Sequence, residues 1–264
     1  MELEQINIII KKAEIGEEND IYNILIGAFG NRYIRFTIFQ SEKSVNHLRQ
    51  MIINQGKENN FIFTAKRMEI LGFYYAVQRK DELFLNYIAV HSKFRRQGIG
   101  QMLLDHYEKL AKFLNLNKCA LNVFESNKKV LEWYISNGYE IQKRTYLARI
   151  NLEKIKIKKL FNGILIDKNA YLEAEKLEKE QGFSKFDLYY KKNHIQLGII
   201  GGDTFKILKD GGFSFEEVAY IILNSWLPKR RWLLITSEKE INFLDCIESK
   251  ENILFMSKSI NINK

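Results

Sequence analysis

An apolar stretch that ends in a cationic, glycine-containing loop constrains the fold of this chain more than any other feature. Leu83 to Val90 is apolar except for Asn86, which is typical of a strand buried on both faces. After the loop, apolar residues recur with helical spacing at Ile99, Met102, Leu103, Leu110, Phe113 and Leu114. The sequence therefore predicts a strand, a loop and an amphipathic helix in direct succession.

The loop has the composition of a phosphate-binding turn. The first N–H groups of a helix lack intrahelical partners, and the helix dipole places a partial positive charge there, so an anion is stabilised at this position. Gly98 and Gly100 carry no Cβ atom that would keep a phosphate away from this backbone. Arg95 and Arg96 add cationic donors beside it. These residues predict a site for a ligand with several phosphate groups.

Two other phosphate-binding loops are excluded by the spacing. The third glycine of a dinucleotide-binding fingerprint would fall at Leu103, and no Gly-Lys-Ser/Thr sequence follows, as a P-loop requires.

A second strand and helix follow the first pair. Lys118 to Phe124 is predicted to be a strand, and the helix after it ends before Gly138, a left-handed terminator. Asn127 is either the N-cap of this helix or a ligand-binding amide. Tyr134 lies about two turns later, on the same face as Asn127. It is either functional or a core aromatic residue beside Trp133.

Taken together, these features resemble the acetyl-coenzyme A site of the GNAT N-acetyltransferase family, most strongly over residues 84–139. The strand-end motif of the family matches Ile88-Ala89-Val90, its Arg/Gln-x-x-Gly-x-Gly/Ala signature begins at Arg95, and its Tyr-x-x-x-Gly-Tyr/Phe pattern begins at Tyr134. The resemblance implies that acetyl-CoA is the co-substrate and that its pantetheine arm pairs with the first strand. The cofactor-binding residues that it implies are Ile88, Ala89, Val90, Arg95, Arg96, Gln97, Gly98, Ile99, Gly100, Gln101, Asn127 and Tyr134.

Tyr134 is also the predicted catalytic residue. In the family an amine attacks the thioester directly, and a phenol with a pKa near about 10 suits protonation of the departing thiolate. Some members carry a glutamate base where this chain has Asn122. Glu125, Glu82, His91 or a water relay are open alternatives for the base. The predicted function is acetyl-CoA-dependent N-acetylation of a primary amine, and the alternative is a catalytically inactive CoA-binding regulatory module.

The resemblance implies an α/β (α+β) GNAT fold, with a mixed central sheet flanked by helices. The pattern of the first half agrees with it: a strand, two helices, a hairpin, and then strand, helix, strand, helix and strand. The strand at Ile6–Ala13, the helices at Asp20–Ala28 and Ser44–Gln55, and the hairpin at Phe61–Gln78 are the elements predicted before Leu83.

Residues 151–264 are predicted to form a smaller α/β domain that resembles a degenerate GNAT half, after a catalytic domain at 1–150. Its elements include a helix at Ala170–Gln181 and a further helix at Lys239–Ile247. Asp210 to Ser214 stands where the phosphate loop would be and contains no arginine, and Ser214 with Glu217 forms a capping-box pattern. We expect this domain to cover the acceptor cleft or to form a homodimer interface, and not to catalyse.

Composition limits the remaining classes. The net charge is +9, but lysine and glutamate are interspersed and no basic-aromatic motif appears, so nucleic acid is not an expected partner. No apolar run has membrane-spanning length and the first residues lack a signal-peptide layout, so no membrane partner and a cytoplasmic location are expected. The two cysteines indicate no disulfide scaffold, and the four scattered histidines indicate no metal site. The amine acceptor itself is not specified by the sequence.

Overall fold

The computed structural model describes residues 7–57, 59–157, 160–241 and 245–261. They form two compact units. The first contains the described residues of Met1–Arg32, Leu48–Lys143 and Leu254–Lys264, and the second contains those of Tyr33–His47 and Arg144–Ile253. Each unit takes residues from both halves of the sequence. The predicted functional domains 1–150 and 151–264 stay a prediction.

The first unit has a mixed sheet with helices, as predicted. Its strands follow the order β1-β2-β3-β4-β5-β12, antiparallel from β1 to β4 and parallel between β4 and β5. The elements are β1 (Ile9–Lys12), most of α1 (Glu18–Ile34), the last part of α2 (Ser44–Ile53), β2 (Asn60–Lys66), β3 (Ile70–Gln78), β4 (Leu83–Val90), α3 (Ile99–Phe113), β5 (Lys118–Phe124), α4 (Lys128–Ser136) and the last part of β12 (Ile247–Ser259). The hairpin predicted around Met68 is confirmed as β2 and β3. The predicted first strand is shorter than expected, and Ile6 lies outside the described residues.

A bulge in β4 separates it from β5. Leu85 pairs with Ala76 of β3 but Tyr87 pairs with Tyr75, so Asn86 is an extra residue on β4. The pairing between β4 and β5 covers only Leu83–Leu85 among the described residues. The two strands therefore lose their pairing in the half of β4 that leads to the phosphate loop.

The other end of this strand pair is held closed by a tyrosine of α3. The Tyr107 hydroxyl donates to the carbonyl oxygen of Leu83 on β4 and accepts from the backbone N–H of Ala120 on β5 at 3.2 Å. Tyr107 is fully buried in the core that α3 forms against the sheet. Tyr107 thus joins β4 and β5 near their beginnings, while their carboxyl ends are not paired with each other.

In the second unit the strands follow the order β6-β11-β10-β9-β8-β7. Its elements are β6 (Glu140–Asn151), β7 (Leu165–Ile166), α5 (Lys168–Gln181), β8 (Phe183–Tyr190), β9 (Asn193–Ile200), β10 (Thr204–Lys209), α6 (Phe215–Asn224) and β11 (Trp232–Ser237). Strands β10 and β11 are parallel and connected through α6, which repeats the β4–α3–β5 arrangement. The predicted capping box at Ser214 and Glu217 is confirmed, with both hydrogen bonds at 3.2 Å.

The helix predicted at Lys239–Ile247 is wrong. As far as this segment is described, Lys239 to Ile241 are irregular, Asp245 and Cys246 form a turn, and Ile247 already begins β12; residues 242–244 lie outside the described part. Ile241 and Cys246 are buried apolar residues, and the Cys246 carbonyl accepts from the backbone N–H of Asn151 at 2.8 Å. Pairing with a distant strand end therefore overrides the local helical pattern.

The core of the first unit makes its stability sensitive to alkaline pH. Burial raises the pKa of Tyr74, Tyr107 and Tyr139 above the usual tyrosine range and raises the pKa of the Cys119 thiol to about 12. In the unfolded chain these phenols ionise near about pH 10, while the folded protein keeps them neutral. The unfolded state therefore gains stability as pH rises past that value, by up to about 1.4 kcal/mol per pH unit for each buried phenol.

We expect the melting temperature to fall progressively above about pH 10 and tyrosinate absorbance from these residues to appear only on unfolding. Thermal melts followed by far-UV circular dichroism, together with tyrosinate absorbance, measure both quantities. Ionisation of all thirteen tyrosines in the still-folded protein would contradict the burial described here.

Candidate functional site

The predicted site residues collect at one edge of the first unit's sheet. Because β4 and β5 are parallel, their carboxyl ends point to the same edge. Helix α3 begins after β4, and α4 begins after β5. In open α/β sheets such an edge is where ligands bind.

One side of the β4 end has no strand partner in the described chain. Ile88, Ala89 and Val90 pair with β3, but the pairing with β5 has already stopped at Leu85. An extended ligand can therefore add to this side through main-chain hydrogen bonds. On the other side of β4, Gly72 of β3 allows the two strands to pair closely. A Cβ atom at this position would lie 2.7 Å from the Ala89 carbonyl oxygen. Sequence reasoning missed Gly72, whose only signal was a glycine inside a strand.

The start of α3 is open. Gly98 occupies the N-cap position with φ at 78° and provides no side-chain cap, so the N–H groups of the first turn keep no described side-chain partner. Arg96 also has a positive φ of 62°, which is strained for a residue with a side chain. Its exposed guanidinium makes no hydrogen bond or ion pair with the described residues. The loop thus presents unpaired donors and an unpaired cation together.

Arg95 has a different role from Arg96. Its Nε donates to the Val90 carbonyl oxygen at 3.2 Å, and its Nη2 donates to the Gly27 carbonyl oxygen of α1 at 3.2 Å. The side chain therefore connects the loop to the strand end and to α1. Gln97, also predicted to bind the ligand, is exposed and donates weakly to the Lys93 carbonyl oxygen at 3.4 Å.

Gln101 joins α3 to α4. Its amide donates to Asp105 at 2.8 Å and to Asn137 at 2.7 Å, and accepts from the Trp133 indole at 3.3 Å. Gly100 lies in the same contact, since a Cβ atom there would be 3.8 Å from Val90 Cγ2 and 3.9 Å from Trp133 Cζ2. The structure thereby brings Val90, the start of α3 and α4 together. The predicted ligand contact of Gln101 stays a prediction, and Ile99 is buried under the loop.

Asn127 lies at the N-cap position of α4 but does not cap it. Its side chain makes no hydrogen bond to the first turn, and no other described residue contacts its amide by a hydrogen bond. The Asn127 side chain is therefore not the helix cap that was one of its two interpretations from the sequence. A half-buried, unpaired amide at the same edge as the α3 start is available to a polar ligand.

Tyr134 lies on α4 and is only 4% exposed. Its ring packs against Trp133, with centroids 4.9 Å apart, and against Tyr139, with centroids 5.6 Å apart. Its hydroxyl has no hydrogen-bond partner among the described residues. Burial raises its pKa, so the phenol stays protonated at neutral pH and can act as a proton donor. Gly138 ends the helix with φ at 83°, as predicted.

The structure excludes Glu82 from the alternatives for a base. Glu82 precedes β4 and forms ion pairs with Arg79 and Lys118, both at 3.3 Å. Since β4 rises by about 3.3 Å per residue, this places Glu82 roughly 20 Å or more from the strand end, too far to act there. His91 directly follows β4, and its Nδ1 accepts from the backbone N–H of Lys93 at 3.3 Å. Asn122 is exposed on β5.

Among the described residues, no group of three His, Cys, Asp or Glu side chains could hold a metal ion. None of the helices in the described part is both long and apolar enough to cross a membrane.

Comparison with known proteins gives one family match and several structural likenesses. The model of the Acetyltransferase (GNAT) family matches residues 19–139. A tandem GNAT protein from the clavulanic acid biosynthesis pathway is 9% identical with a TM-score of 0.66, covering 98% of this chain and 100% of its own. A candidate acetyltransferase from Pyrococcus horikoshii is 17% identical with a TM-score of 0.65, covering 97% and 90%. The PaiA N-acetyltransferase from Thermoplasma acidophilum, solved with coenzyme A, is 19% identical with a TM-score of 0.44, covering 52% and 92%.

At these identities the two nearly full-length likenesses show the fold alone. They confirm the predicted α/β GNAT fold and the GNAT-like architecture of the second half.

The uncapped state of Asn127 can be tested against the true cap of α6. Asn127→Ala should lower the free energy of unfolding by less than about 0.5 kcal/mol, because no capping hydrogen bond is lost. Ser214→Ala removes a capping-box bond and should cost about 1 kcal/mol. Urea denaturation followed by circular dichroism measures both. Equal losses would mean that the Asn127 amide caps α4 after all.

Proposed function

Since residues 19–139 are a GNAT acetyltransferase domain, we propose that this protein is an acetyl-CoA-dependent N-acetyltransferase that transfers an acetyl group to a primary amine. One observation carries the proposal: the unpaired end of β4 lies at the same sheet edge as the uncapped, cationic start of α3. A strand-like arm that ends in phosphates is the ligand that this combination suits.

The residues present fit acetyl-CoA. The first-turn N–H groups of α3 and the unpaired Arg96 suit its pyrophosphate, and the free side of Ile88–Val90 suits the amides of its pantetheine arm. The free Asn127 side chain supplies one more donor and acceptor pair. Arg95 holds the strand end and the loop in place for these contacts.

Tyr134 supplies the proton in the transfer. The amine nitrogen attacks the thioester carbonyl, the new C–N bond forms, the C–S bond breaks, and the phenol protonates the departing sulfur. The nitrogen loses its extra proton to water, and water returns a proton to the Tyr134 phenolate. The burial that raises the pKa of Tyr134 would also desolvate a thiolate in the same pocket, so the acidities of the two groups stay close. Backbone N–H groups near Val90 polarise the carbonyl oxygen.

The acceptor is best found with a panel of amines. Small amines, polyamines, amino acids and protein N-termini or lysines are all chemically compatible acceptors, and the fold does not select among them. Release of the CoA thiol on addition of each amine measures transfer directly. Acetyl-CoA that binds without any thiol release across the panel would refute the catalytic proposal.

A second candidate function is a CoA-binding regulatory module without turnover. It is favoured by Asn122, an amide that cannot accept the amine proton at the position where some family members carry a glutamate. Thermal stabilisation by acetyl-CoA is expected from both candidates. Thiol release in the presence of an amine is expected from the enzyme alone.

Removing the Tyr134 hydroxyl should slow the chemical step. Tyr134→Phe keeps the ring packing, and since no described residue is hydrogen-bonded to the hydroxyl, we expect unchanged stability. The kcat should fall by roughly 100-fold, with little change in acetyl-CoA affinity. Tyr139→Phe, in the adjacent ring, is the matched control and should keep kcat. A normal kcat in Tyr134→Phe under conditions where chemistry limits turnover would leave Tyr134 a packing residue.

Removing the unpaired cation of the loop should weaken acetyl-CoA. Arg96→Ala should raise its Kd about tenfold, the loss of one charge-assisted hydrogen bond, and should reduce the salt dependence of binding. Arg67→Ala removes an equally exposed arginine at the β2–β3 turn and serves as the control for net charge. Isothermal titration at two salt concentrations measures both effects. Equal Kd values for Arg96→Ala, Arg67→Ala and the unaltered protein would place the phosphates elsewhere.

A further inference from the structure

The second unit contains a cavity of about 190 Å³ that the proposed reaction does not use. Its walls come from separate parts of that unit: Ser41 and Lys43 before α2, Glu175, Glu178 and Lys179 on α5, the Gly201-Gly202 turn after β9, and Arg230 before β11. At about 30 Å³ per water, the volume corresponds to roughly six water molecules. It is therefore too small for a drug-sized ligand and large enough for a small metabolite.

The walls are fastened to one another. The Asn46 amide donates to the Glu180 carbonyl oxygen at 2.8 Å, and Gly182, which ends α5, packs so closely that a Cβ atom would lie 2.9 Å from Ser44. The Gly201 N–H donates to the Gly182 carbonyl oxygen at 3.2 Å. The backbone segments that carry the lining residues are therefore fixed to one another.

Glu175 and Arg230 neutralise each other at the cavity. Arg230 Nη2 donates to Glu175 Oε1 at 3.2 Å, and Nη1 donates to the Gly202 carbonyl oxygen. The Tyr171 hydroxyl also donates to Glu175 Oε1, at 3.3 Å. The Nε of Arg230 is buried and has no acceptor in the described chain. One donor of this cation is therefore unused.

Glu178 is the unexplained group. It lies one turn after Glu175, lines the cavity and is only 4% exposed, yet its carboxylate has no hydrogen bond or ion pair with any described residue. An unpaired buried carboxylate is costly unless a cation or donor compensates it. Lys43, an exposed lysine, brings a positive charge to the same cavity.

We propose that this cavity binds a small α-amino acid, whose ammonium group pairs with Glu178 and whose carboxylate lies on the side of Lys43 and Arg230. A lone anion would meet the charge of Glu178, and a lone cation would meet that of Lys43, because Arg230 and Lys179 are paired with Glu175. A zwitterion satisfies both charges at once. The site lies wholly within the second unit and is distinct from the proposed acetyl-CoA site. The amino-acid proposal can therefore be tested independently of catalysis.

Three small probes that differ in their charged groups separate the possibilities. L-Alanine carries both charges, ethylamine carries only the ammonium, and propionate carries only the carboxylate. Saturation-transfer NMR on the full-length protein measures the binding of each probe. We expect saturable binding of L-alanine and at least tenfold weaker binding of ethylamine and of propionate. Three results would overturn the proposal. Ethylamine binding as strong as that of L-alanine would identify a cation site, and propionate binding as strong as that of L-alanine would identify an anion site. No binding of any probe would identify a hydrated structural cavity.

Matched variants assign the binding to this cavity. Glu178→Gln keeps the shape and removes the charge, so it should weaken L-alanine at least tenfold, whereas Glu173→Gln on the exposed face of α5 should not. Lys43→Gln should weaken L-alanine but not ethylamine, because the substitution removes a charge that attracts a carboxylate and repels an ammonium group. L-Alanine binding that survives Glu178→Gln, in a variant whose circular dichroism matches the unaltered protein, would place the amino acid elsewhere and refute the assignment.

Discussion

The separation of β4 from β5 is the constraint on which the functional edge of the first unit depends. Tyr107 holds the beginnings of both strands through one hydroxyl, and Asn86 adds a residue to β4 directly after the last pair. A parallel pair that is closed at one end and bulged near its middle opens towards its carboxyl end. That opening leaves the main chain of Ile88–Val90 free, at the point where the chain turns into α3.

The loop after β4 depends on this opening and in turn stabilises it. Arg95 hydrogen-bonds the strand end and α1, which leaves Arg96 as the cation without a described partner. Gly98 then starts α3 in a left-handed conformation without capping it. The two neighbouring arginines therefore have different roles. Arg95 positions the loop, and Arg96 is available to a phosphate.

The second unit repeats the strand–helix–strand arrangement but closes the corresponding helix start. The side chains of Ser214 and Glu217 accept from each other's backbone N–H groups at the start of α6, and Asp210 accepts from the Gly212 N–H at 2.9 Å. These donors are therefore already paired within the turn, and an acidic residue stands beside them. The same backbone architecture thus supports two different surfaces, and the side chains at the helix start decide which one is present.

The sequence by itself determined the features that depend on neighbouring residues. The strand–loop–helix order at Leu83–Phe113, the left-handed terminator Gly138 and the capping box at Ser214 are all local, because backbone conformation and capping are set within a few residues. The resemblance carried by the same residues predicted the fold, and the model of the Acetyltransferase (GNAT) family matches residues 19–139.

Only the tertiary structure decided the features that depend on distant partners. The bulge at Asn86, the use of Arg95 and Gln101 in packing, and the uncapped Asn127 depend on which strand or helix lies alongside. The helix predicted at Lys239–Ile247 gave way to pairing with Asn151 for the same reason. The cavity around Glu178 is built from four separated segments, and no short window of sequence contains the information that brings them together.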